Sequence, residues 1–142
     1  MVIIAAVDRT ELSKPVVEQA HALATAFGDD VHVVHVLKPS EFMSLEQSTI
    51  EETGHAVEIT SAEEFAAEAA RQAAETVDEP STPVGLVGPP SDEIIRYAAK
   101  HDARYIVVGP KNRSPTGKVL FGSVTQSVLL NADCPVVSIN AE

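Results

Sequence analysis

Basic residues are scarce in this sequence: 10 Lys and Arg stand against 21 Asp and Glu, giving a formal net charge of −11 and an isoelectric point near 4.8. Nonspecific nucleic-acid binding needs a basic footprint to displace counterions, so that class is excluded. Cysteine occurs once, as Cys134. No internal disulfide is possible, and a reducing cytoplasm is the expected compartment. No apolar run approaches the roughly 20 residues of a membrane-spanning helix, although 44% of the chain is hydrophobic. The N-terminal Met1 to Val7 has no basic segment before its apolar run and meets Asp8 at once, so it reads as a strand and not as a signal peptide. Five lysines within an acidic excess also suit a protein kept soluble in concentrated salt, and a halophilic source is expected. The 142 residues fit one domain, 1–142.

The most informative stretch runs from Gly109 to Ser123. Before it, Tyr105 to Val108 is short, β-branched and uninterrupted, as a parallel strand covered on both faces would be. After it, Ser123-Val124-Thr125-Gln126 has the form of a capping box, and Val124 and Val128 begin an apolar stripe. Strand, loop and helix N-terminus in that order make the place where parallel α/β proteins hold anions, because amide groups and the helix dipole point into the crevice. The loop carries Lys111, Arg113 and Lys118 and no acid. A bound anion and a mobile, solvated basic loop both account for that local charge.

The rest of the chain alternates two periodicities. Val2 to Val7 reads as the first strand, with Asp8 at its carboxyl end, either facing a ligand crevice or capping the next helix. Leu12, Val16, Ala20, Leu23 and Phe27 form one helical face, with Thr10 as its cap and Gly28 as its stop. Val31 to Leu37 is the second strand, and residues 38–59 read as a partly disordered connection. Thr60 and Ser61 offer caps for an alanine-rich helix whose face comprises Ala62, Phe65, Ala66, Ala69, Ala73 and Val77. A third strand covers 83–88, and a helix capped at Ser91 buries Ile94, Ile95 and Ala98. The last helix runs from Ser123 to about Asn131, and Pro135 to Ile139 is the fifth strand. Five strands alternating with four helices predict a doubly wound parallel sheet with helices on both faces.

Reactive constellations are not apparent. His32 and His35 lie three apart on a strand and point to opposite faces, so they cannot share a metal ion. Glu68, Arg71 and Glu75 read as a solvated helix face. Cys134 has no paired base in the pattern and reads as a packing residue. No catalytic residue and no metal site are assigned. The chain contains neither a His-x-Gly-His nor a Ser-Gly-Gly-x-Asp-Ser signature, which speaks against a nucleotidyl-transferring enzyme on this kind of sheet.

The spacing Gly109-x2-Asn112-x9-Gly122-Ser123 resembles the nucleotide loop of the universal stress protein family, Gly-x2-Gly-x9-Gly-Ser/Thr. The Asp after the first strand and the Cys-Pro-Val-Val run before the last follow the same order. The resemblance implies an adenine-nucleotide alpha-hydrolase-like fold with strand order 3-2-1-4-5. It implies a nucleotide site in which Asp8 and Val36 flank base and ribose. Gly109, Asn112, Gly122 and Ser123, followed by Val124, form the loop, with Lys111 and Arg113 at the phosphates. It further implies a stress-response regulatory homodimer joined through strand 136–139, binding ATP or another adenine nucleotide, with Mg2+ entering only with the nucleotide. At most slow ATP hydrolysis and an unknown protein client go with it. Three positions depart from the family pattern: Asn112 replaces a glycine, and Arg9-Thr10 replace a small residue and Ser. Asn enters left-handed geometry more readily than most residues, so the turn is expected to persist. The alternative is a protein-interaction module whose loop Asn112 has impaired for nucleotide.

Overall fold

The computed structural model describes residues 1–8, 13–54, 59–109, 112–113, 119–120 and 122–139, with backbone alone at 49, 53, 59–60, 112–113 and 119–120. Along the chain these form β1 (Val2–Ala6), α1 (Ser13–Phe27), β2 (Asp30–Leu37), α2 (Pro39–Thr53), α3 (Ile59–Ala74) and β3 (Thr82–Val87). There follow α4 (Pro90–Lys100), β4 (Ala103–Val108), β5 (Asn112–Arg113), β6 (Val119–Leu120), α5 (Ser123–Asn131) and β7 (Val136–Ser138). Five strands pair in parallel in the order β3-β2-β1-β4-β7, which is the implied 3-2-1-4-5 arrangement. The chain moves outward from β1 to β3 and then returns to the other side of β1 at β4. The crevice between the carboxyl ends of β1 and β4 is therefore the topological switch point.

The inner strand residues are mostly apolar because both faces of the sheet are covered. Ile3, Ala5, Val31, Val33 and Val107 face α1 and the end of α3, where they meet Val16, Val17, Ala20, Ala70 and Ala73. Ile4, Val34, Val36, Ile106 and Val108 face α4 and α5, against Ile94, Ala98 and Val128. On α3 the buried residues with described side chains are Ala62, Ala66, Ala70, Ala73 and Ala74. Their spacing defines the sheet-facing stripe, so Phe65, placed on that face by its periodicity, lies beside it and is 40% exposed. The alanines bring α3 down onto β3 at Gly85, where an added Cβ would stand 2.1 Å from the Glu63 carbonyl oxygen and 2.2 Å from the Ala67 nitrogen.

Three helix starts differ from the sequence reading. Residues 38–59, read as an irregular connection, hold α2. Pro39 opens it, the Lys38 amide donates to Glu41 Oε1 at 3.0 Å, and Gly54 ends it at φ 76° with its amide on the Ile50 carbonyl at 2.8 Å. Helix α3 already includes Ile59, so Thr60 and Ser61 lie inside it instead of capping it. Helix α4 has Pro89 at its N-cap, which places Ser91, Asp92 and Glu93 in its first turn, where the acids favour the dipole. Thr10 and Leu12, read as cap and first apolar contact of α1, lie outside the described residues.

Candidate functional site

Three neighbouring strands deliver the candidate residues to one edge. In register, Ala5 pairs with Val107 and Ala6 with Val34. Asp8, Gly109 and Val36 therefore follow one another across the carboxyl ends of β1, β4 and β2. Asp8 is exposed, Gly109 is half-buried, and Val36 is buried on the α4/α5 side. Helix α5 closes this edge. Its N-cap is Gly122 in extended conformation, whose carbonyl accepts the Gln126 amide at 3.1 Å. The predicted Ser123–Gln126 capping box does not form: Ser123 is the first residue of the helix and its side chain is exposed. Val124 is half-buried against the cluster that contains Val36 and Val128.

Hydrogen bonds from buried side chains fix this edge. Thr125 Oγ1 donates to the Gly109 carbonyl at 2.9 Å and so ties the first turn of α5 to the end of β4. Ser13 Oγ donates to the Asp8 carbonyl at 2.8 Å, with Asp8 Oδ1 at 3.5 Å. His35 Nδ1 meets the Val7 carbonyl oxygen at 3.0 Å. Sequence reasoning missed Ser13 and Thr125 as site residues and read His35 as a packed or surface histidine. The one available signal was a polar residue inside an apolar run, as in Val33-Val34-His35-Val36.

Of the loop residues, Lys111 and Lys118 lie outside the described residues, as do Pro110 and Pro115. Asn112 and Arg113 are described as backbone in β5, pairing antiparallel with Leu120 and Val119 of β6. The sequence reading gave Asn112 a left-handed turn. It is extended instead, because it sits in a ladder, and among the described residues Asp102 is the non-glycine with positive φ.

His32 and His35 leave β2 on opposite faces. His32 Nδ1 lies 2.6 Å from the Tyr97 hydroxyl and its ring packs near His101; burial first, and the neighbouring His101 second, push its pKa down. Cys134 is half-buried against the α4/α5 cluster, and burial raises its thiol, which disfavours the nucleophilic thiolate. Arg71 bridges Glu68 and Glu75 on an exposed face of α3. Among the described residues no group of three or more His, Cys, Asp or Glu is arranged to hold a metal ion, and no helix is long and apolar enough to cross a membrane.

A doubly wound parallel sheet with its switch-point crevice walled by a strand-end aspartate and a glycine-capped helix defines the adenine-nucleotide alpha-hydrolase-like class of α/β proteins. The universal stress protein family model matches residues 1–140, and the chain belongs to that family. A universal stress protein of Methanocaldococcus jannaschii is 28% identical over 130 residues, covering 92% of this chain and 76% of that protein. Among solved structures, a universal stress protein from Archaeoglobus fulgidus superposes with a TM-score of 0.64 at 30% identity, covering 99% of this chain and 98% of the other. A universal stress protein from the same organism, in complex with dAMP, superposes with a TM-score of 0.62 at 26% identity over 99% and 98% of the two chains.

Proposed function

We propose that this universal stress protein is a regulatory homodimer that binds ATP or another adenine nucleotide across the carboxyl edge of its sheet. The observation that carries the reading is the meeting of Asp8, Gly109 and the Gly122–Ser123 start of α5 at one edge, held by the Thr125–Gly109 bond. The dAMP complex of the Archaeoglobus fulgidus relative supports the same ligand class. In this reading Asp8 and Val36 flank ribose and base, Gly109 and Gly122 allow close backbone approach, and the Ser123 hydroxyl and first-turn amides meet the phosphates. Lys111 and Arg113 add positive charge to the loop, and Val124 backs the helix turn. Mg2+ enters with the phosphates, whose oxygens are its natural ligands. The binding event alters what the dimer presents to a protein client, and turnover does not exceed slow ATP hydrolysis.

Calorimetry with ATP and Mg2+ tests the proposal. Heat saturating between micromolar and low millimolar ATP is the expected result, abolished by Ser123→Phe in a protein that keeps its circular dichroism spectrum. No heat from the wild type contradicts it and favours the second reading, a protein-interaction module. The extended ladder position of Asn112, where the family pattern has glycine, motivates that alternative.

A further inference from the structure

Among the described residues the polar residues buried as a whole, backbone and side chain together, are Ser13, His21, His35 and Thr125. Three of them act at the same edge: His35 on the Val7 carbonyl at 3.0 Å, Ser13 on the Asp8 carbonyl at 2.8 Å, and Thr125 on the Gly109 carbonyl at 2.9 Å. All three acceptors lie where β1 and β4 leave the sheet. The fourth, His21, meets Glu79 at 3.3 Å in the α3–β3 connection.

The chemistry of His35 shows what its burial is for. A carbonyl oxygen has no proton to give, so Nδ1 is the donor in this bond and Nε2 is left to find another partner. That Nε2 is buried without a hydrogen-bond partner among the described residues. A buried polar atom in that state costs free energy, and an aliphatic side chain would fill the volume without the cost. What an aliphatic residue would not supply is the hold on Val7. Peptide planarity turns that hold into a fixed plane, with the Asp8 amide directed away from the carbonyl. The oxygens face buried donors, which keeps their negative ends from a phosphate in the crevice.

We infer that Ser13, His35 and Thr125 are positioning residues, which fix the strand-exit carbonyls and thereby aim the Asp8 carboxylate and the Gly109 backbone at an adenine nucleotide. The inference rests on the proposed nucleotide reading, and two conservative pairs test it: His35→Leu against His35→Asn, which keeps a donor near Nδ1, and Thr125→Val against Thr125→Ser, which keeps the hydroxyl. Calorimetry measures dAMP affinity, and carbon NMR follows the Asp8 carboxylate in the ligand-free protein, with circular dichroism confirming the fold. His35→Leu and Thr125→Val are expected to weaken dAMP by roughly tenfold. His35→Leu shifts the Asp8 resonance, and the conservative partners return both readouts toward wild type. Wild-type affinity or an unmoved Asp8 resonance in folded His35→Leu overturns the inference, and the threonine pair decides it if that variant does not fold. A wild type that does not bind dAMP removes the nucleotide reading instead, and the Asp8 resonance then decides positioning alone.

Discussion

Asp29 carries the strongest ionic linkage at the start of the sheet. Its carboxylate accepts from Arg104 Nε at 2.6 Å and Nη2 at 3.4 Å, lies 3.2 Å from the Met1 amine, and is 2% exposed. The Arg104 guanidinium in turn lies 4.4 Å from the centre of the Phe27 ring. The hydrogen bond from Arg104 holds the Asp29 carboxyl below its ordinary value against the opposing effect of burial, and the N-terminal amine adds to the lowering. A carboxyl depressed in the folded state stabilises it above the unfolded-state pKa, and that stability is lost as pH falls through the folded value. Asp29→Asn is therefore expected to melt lower at neutral pH, with the gap to wild type closing as melts are repeated toward about pH 2. A gap that stays constant with pH would show that the ion pair carries none of it.

At the scale of elements, helix ends and a close helix–strand contact decide the packing. Gly85 lies under α3 with no room for a Cβ against the Glu63 and Ala67 backbone. Gly85→Ala is expected to cost about 3 kcal/mol in a denaturant titration, because backbone and not a mobile side chain must yield. Gly54 is the opposite case: open space surrounds it, but φ is 76°. Gly54→Ala is expected to cost about 1 kcal/mol through strain alone, and an equal cost at the two positions would refute the distinction. These ends also explain what was legible. Helix α1 announced itself by its period, α5 by its cap signal and apolar stripe, and the five sheet strands by short apolar runs, whereas α2 packs through Phe42 and Leu45 onto Leu37, Ala62 and Val87 and has too little apolar pattern to be read alone. Its Pro39 and Gly54 were the signals that remained. The Gly109–Ser123 spacing exposed one wall of the site. Ser13, His35 and Thr125 were not legible as site residues, since their partners are backbone carbonyls that only the folded sheet brings to them.

The whole molecule leaves β7 at the rim of the sheet. The Ile139 amide donates to Val108 at 2.9 Å and the Ile106 amide to Pro135 at 3.2 Å, so alternation along β7 turns the Ser138 amide outward. An open edge invites pairing, and Leu129 and Leu130 of α5 are exposed. If the homodimer joins through 136–139, Ser138→Pro removes an outward donor without touching the β4 ladder. Sedimentation is expected to find a folded monomer for this variant and a dimer for wild type, and dimers of both would place the interface elsewhere. The central claim, that the carboxyl edge between β1 and β4 receives an adenine nucleotide, is tested most directly by titrating labelled wild-type protein with dAMP and following amide resonances. The account predicts saturable shifts concentrated at Asp8, Gly109 and Gly122 to Val124, and shifts confined to other faces, or none, would contradict it.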